Sequence, residues 1–224
     1  MFNVKRLMVG LFFVLVLNSE AHAVLIDFDD QAVAGVQAAA GNLYRAQGIT
    51  FSSGNMSPDL NAAIAVGNIF TLTGIQDEFV LINNANAVSN PNFAGARSLG
   101  LQDTLMAFSS PISSLSLHSD DTVESSQIIR LLSLLATGNP NEYQVLAFDE
   151  KFDSAVAEPG NLLSLNVPAG FSYALFQVTT EQEGFDDVSF TFLENGGGGV
   201  VPEPASVLLM GGGLVGAFLR RKKG

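Results

Sequence analysis

Val188-Ser189-Phe190-Thr191-Phe192 alternates apolar and hydroxyl side chains with a period of two. In an extended chain that period sends one set of side chains to each face, so one face is buried and the other is wet. Ile49-Thr50-Phe51 repeats the pattern, and Ile112-Ser113-Ser114-Leu115-Ser116-Leu117-His118 comes close to it. Working outward, these runs are separated by turn-forming clusters: Ser53-Gly54-Asn55, Asn83-Asn84, Ser89-Asn90-Pro91-Asn92, Gly138-Asn139-Pro140-Asn141 and Glu158-Pro159-Gly160-Asn161. Many short strands at roughly ten-residue spacing predict an all-β domain, a β-sandwich or jelly roll. One run reads two ways. Ile128, Ile129, Leu131, Leu132, Leu134 and Leu135 fit helical spacing as well as a strand buried on both faces. Gly138 and Pro140 bound it, and Tyr143 to Phe148 reads as a hairpin partner, which favours strand.

The charges are unevenly placed. Of ten basic residues, six lie at the ends: Lys5, Arg6, Arg220, Arg221, Lys222 and Lys223. Residues 24–194 hold four basic residues against twenty acidic ones, a net charge of −16. A field of that sign repels nucleic acid and anionic lipid and favours divalent cations. Cysteine is absent, which excludes disulfides, thiol catalysis and thiolate metal sites. Tryptophan is absent too, leaving Tyr44, Tyr143 and Tyr173 as the polar rings on which a sugar could stack.

Both ends carry addressing signals. Lys5 and Arg6 precede an apolar run from Leu7 to Leu17, and Ala21-His22-Ala23 fits a small-x-small cleavage site. This is the layout of a secretory signal peptide over residues 1–23, with Ala21 and Ala23 at the cleavage site and an apolar run too short to span a bilayer. A central domain is expected over 24–194, followed by a glycine-rich linker over 195–200. Val201-Pro202-Glu203-Pro204 then leads into an apolar stretch that ends in Arg220-Arg221-Lys222-Lys223. Ala205 to Leu219 would make a helix of about 22 Å against a hydrocarbon core of about 30 Å. Three consecutive glycines, Gly211 to Gly213, weaken it further as a permanent anchor. The basic cluster acts as a stop-transfer signal that stays cytoplasmic.

These three ordered features, over residues 201–224, resemble the PEP-CTERM sorting domain. The resemblance implies recognition by a membrane-embedded exosortase, cleavage near Pro202, Glu203 and Pro204, and a Gram-negative host that secretes exopolysaccharide. The inner membrane would hold the precursor transiently through the C-terminal helix. The mature chain would reach the cell surface or the extracellular space.

Within the domain, two ends rhyme: Ile26-Asp27-Phe28-Asp29-Asp30 near the start and Gly184-Phe185-Asp186-Asp187-Val188 near the finish. With Gly48-Ile49 and Phe108-Ser109-Ser110-Pro111, they make the region similar to galactose-binding-like jelly rolls associated with calcium. First and last strands often lie side by side in jelly rolls. Asp29, Asp30, Asp186 and Asp187 are therefore the candidate ligands for a structural Ca2+, which takes six to eight oxygens. Strand alternation places Asp186 on the face of Val188, Phe190 and Phe192. The competing reading is turn chemistry, since Asp caps loops and starts strands.

Catalytic signals are weak. His118 precedes Ser119-Asp120-Asp121, but no G-x-S-x-G elbow exposes a nucleophile. No acid pair is singled out for glycoside hydrolysis. The expectation is a non-enzymatic surface or matrix protein that binds or organises exopolysaccharide. A secreted polysaccharide hydrolase and a ligand-free structural protein are the alternatives.

Overall fold

The computed structural model describes residues 22–31, 36–37, 40–54, 63–75, 79–83, 92–96, 103–121, 127–153, 161–178 and 183–193. Ala21, the linker, the sorting motif Pro202 to Pro204 and the basic cluster Arg220 to Lys223 lie outside these residues. The strands are β1 (Ala23–Ile26), β2 (Val36–Gln37), β3 (Ile49–Gly54), β4 (Ile69–Thr71), β5 (Phe79–Asn83), β6 (Asn92–Ala96), β7 (Asp103–Asp121), β8 (Gln127–Ala136), β9 (Glu142–Asp153), β10 (Leu162–Val178) and β11 (Glu183–Phe192). All pairings among them are antiparallel.

Two strands are far longer than the turn spacing predicts: β7 has 19 residues and β10 has 17. Each carries a proline, Pro111 and Pro168, which cannot donate to a ladder. The β7–β10 register slips there. Asn166 pairs with Ser114, Phe171 with Ile112 and Tyr173 with Ala107, so β10 bulges over 167–170 and β7 over 108–111. Gly170 takes φ +83° at this corner, where a Cβ would lie 3.0 Å from Leu193 and 3.3 Å from Pro111. A bend at this point lets both strands pass from one half of the eleven-stranded sheet into the other. The first half of β7 pairs with β3, and the second half of β10 leads on to β8, β9 and β4. The second half of β7 pairs with β11, which leads to β6, β5 and β2 and carries β1.

The two halves of this one sheet face each other across the main core. Met106, Ile129, Leu131, Ala174 and Phe176 come from the first; Phe79, Leu81, Phe185, Val188 and Phe190 from the second. Aromatic rings bridge the layers: Phe51 stacks on Phe79 at 4.4 Å and Phe176 meets Phe185 edge-on at 5.0 Å. Burying each such ring is worth about 1.5–3 kcal/mol. The expected all-β sandwich of jelly-roll type is the observed architecture.

The ambiguous run at 128–135 is β8, paired with the Tyr143–Phe148 segment inside β9 as the hairpin reading expects. Its double burial has a cause. Ile129 and Leu131 face the main core, while Leu132 and Leu134 join a second core on the outer face with Leu105, Leu175 and Val145. Leu72, Phe70 and Ile64 cover that outer face from residues 63–75.

Candidate functional site

The predicted meeting of the two Asp pairs begins with strand pairing. β1 lies against β11, with Ile26 opposite Val188. The Asp27–Asp30 turn therefore starts beside Asp187. In that turn Phe28 is fully buried and takes φ +59°, a left-handed conformation that bulky residues rarely adopt. Its ring packs edge-on against Tyr44 at 5.3 Å and against Phe51 and Phe185 at 6.0 Å each.

The surrounding polar groups hold this conformation. Asp27 Oδ1 accepts the Asp29 backbone N–H at 3.3 Å. Asp29 Oδ1 accepts the Asn92 backbone N–H at 3.1 Å. The buried Asn92 amide donates to the carbonyls of Phe28 at 3.0 Å and Gln31 at 2.9 Å. Asp30 Oδ1 accepts the Tyr44 hydroxyl at 2.7 Å. Burial, and then the carboxylates of Asp30, Asp27 and Asp29, push the Tyr44 phenol far above its usual pKa.

On β11, Asp186 pairs with His118 and Ser189 with Ser116. Three steps on β11 match two on β7, so the strand carries a one-residue bulge. Asp187 has φ +51° and sits in it. The bulge resets the alternation. Phe185, not Asp186, shares the core face with Val188 and Phe190, which corrects the face expected for Asp186. Asp186 is nonetheless buried, and its Oδ1 accepts the Asp187 N–H at 2.8 Å. Asp187 Oδ2 stands 3.8 Å from His118 Nδ1.

The turn bearing Asp29 and Asp30 and the strand bearing Asp186 and Asp187 are thus neighbours. Three of the four carboxylates already accept an N–H or O–H from the chain itself. Among the described residues, no three His, Asp or Glu side chains converge as a metal site needs.

The other candidates have structural surroundings as well. Ser119 is buried, and its hydroxyl accepts the Asn161 N–H at 3.1 Å. It follows His118 directly on a strand, so the two side chains point to opposite faces. Tyr44 and Tyr143 are buried, and Tyr143 meets Tyr173 edge-on at 5.2 Å beside the second core. These rings are core elements, not platforms open to a sugar.

Sequence reasoning missed Asn92, read only as part of a turn, and Arg130, read only as one of four central cations. Arg130 is buried, pairs in register with Gln177 and Glu150, and binds the Glu150 carboxylate.

No curated protein and no solved structure matches the chain. Residues 200–223 match the family model of the PEP-CTERM protein-sorting motif. Beyond its all-β domain the chain therefore carries a PEP-CTERM sorting motif, the mark of an exported protein processed by an exosortase at the membrane.

Proposed function

We propose that the β-sandwich is a non-enzymatic module of the cell surface or extracellular matrix that binds or organises exopolysaccharide. The observation that carries this reading is the sorting motif at 200–223 behind an acidic domain. The domain's charge keeps an exported protein soluble and disfavours nucleic acid and anionic membrane as partners. Among the described residues the exposed aromatic rings are Phe148 and Phe152, so polysaccharide contact would rest mainly on carboxylates and hydroxyls. A structural calcium at Asp29, Asp30, Asp186 and Asp187 is the second reading. The hydrogen bonds already made to Asp29, Asp30 and Asp186 favour turn chemistry over it.

The test is made in a host that carries the exosortase. Deleting the exosortase should leave the full-length chain in the membrane fraction, and restoring it should release the shortened form. The released form is then incubated with the host's own polysaccharide. Co-sedimentation supports the proposal; absence of binding favours the ligand-free structural protein. Release of reducing ends would replace the proposal with a hydrolase.

A further inference from the structure

β9 is paired with β8 from Tyr143 to Asp153. Its other edge is covered at Glu142–Gln144 by β4, and at Val145 by hydrogen bonds with Gly67 and Asn68. From Leu146 to Asp153 no strand pairs with that outer edge among the described residues, and Asp149 Oδ2 accepts the Ser164 N–H of β10 at 2.9 Å. An unpaired edge of this length is a template for another strand. The short edge strands β1 and β2 offer far less, with four and two residues.

The exposed segment reads Phe148-Asp149-Glu150-Lys151-Phe152. Phe148, Glu150 and Phe152 share one face, and Asp149 and Lys151 the other. Both rings are open to solvent, at 38% and 68% of their full exposure. Asp149 lies 3.3 Å from Lys151 in the same chain. Read backwards, the segment is its own complement: aromatic meets aromatic, and acid meets base.

We propose that a second copy of this chain pairs antiparallel along this edge, about a two-fold axis through Glu150. In that register Phe148 of each copy lies opposite Phe152 of the other, and Asp149 opposite Lys151. Directly opposed residues share a face at about 4.5–5.5 Å, so each pair is in contact and each occurs twice. The two Glu150 side chains meet on the axis. Each is already bound to a buried Arg130, which cancels the charge that would otherwise separate them. Moving the axis to Asp149 or to Lys151 sets like charges opposite each other and loses both aromatic pairs. The pattern therefore selects one register. Self-pairing deepens the organising role proposed above, because a two-headed copy can link polymers or neighbouring copies. It does not depend on that role.

The experiment uses full-length chains carrying two different tags, co-expressed and exported, with co-purification as the readout. Wild type should pair with wild type. D149K should not pair with D149K, nor K151D with K151D, because each variant sets like charges opposite. Retention should fall about tenfold, since each swap is met twice across the axis. D149K mixed with K151D should pair again, because two lysines on one copy then face two aspartates on the other. Recovery in that mixture cannot come from contacts within one chain, since both chains keep their broken internal pair. As an independent readout, Glu150→Cys in a chain without cysteine should yield a disulfide-linked dimer in the periplasm. Leu162→Cys, at another exposed position, should stay monomeric. A monomeric wild type would overturn the proposal. So would retention untouched by the single swaps, or folded single variants whose mixture fails to pair.

Discussion

Replacing Phe28 by alanine and by glycine separates two forces at one residue. Phe28 is fully buried, and its ring touches Tyr44, Phe51, Phe79 and Phe185 at centroid distances of 5.3 to 6.4 Å. Removing the ring loses its burial and leaves a cavity, at a cost of about 3–5 kcal/mol for Phe28→Ala. That is a large share of a total stability of about 5–15 kcal/mol. The backbone adds a second effect of opposite sign. At φ +59° an L side chain is strained by about 1–2 kcal/mol, and glycine is not. Glycine's looser unfolded chain takes back about 0.4–1 kcal/mol. Phe28→Gly should therefore be more stable than Phe28→Ala by about 0.5–1 kcal/mol, the reverse of the order in ordinary strand positions. The assay is urea unfolding of the secreted chain followed by far-UV circular dichroism, since no tryptophan is present to report. A glycine variant less stable than the alanine variant would refute the claim that the turn holds Phe28 under strain. A loss below about 1 kcal/mol for alanine would refute its anchoring role.

Asn92→Ala removes both donors that hold the Phe28 and Gln31 carbonyls, and should cost about 2–3 kcal/mol in the same assay, while V66A at an exposed side chain stays within about 0.5 kcal/mol. Tyr44 titrates above its ordinary value in the fold, so its contribution is intact below about pH 10 and is lost as pH rises beyond the unfolded phenol's pKa. Tyr44→Phe should flatten the alkaline fall in stability, measured as unfolding midpoints between about pH 9 and 11.5. Melting the released chain in excess calcium and then in chelator should give the same midpoint; a rise of several degrees with calcium would install a metal at the Asp pairs after all.

The two-period runs made the fold class legible because burial of one face leaves a mark at every second residue. Val188, Phe190, Ile49 and Phe51 all face the main core as that pattern implies. The neighbourhood of first and last strands was legible as well, and Ile26 does lie against Val188. The corners were not. Pro111 and Pro168 both lie within strands that bend and continue, because a bulge absorbs a missing donor without ending the ladder. The face of Asp186 was misread, since one extra residue at Asp187 inverts the alternation that the reading relied on. Asn92 and Arg130 left no local signal. Their burial depends on what folds over them, and sequence spacing does not carry that information.

The pairing of Val24 with Phe190 joins positions at opposite ends of the domain. A contact of that separation cannot form until nearly the entire chain is available, and its loop-closure entropy makes it late and slow. A chain that crosses the membrane from its N-terminus therefore holds β1 without a partner until β11 emerges. Export and completion of the sheet are coupled in time. The leading and trailing segments also leave the domain side by side, so whatever holds either end to the bilayer holds the module by one pole and leaves the other free to reach outward.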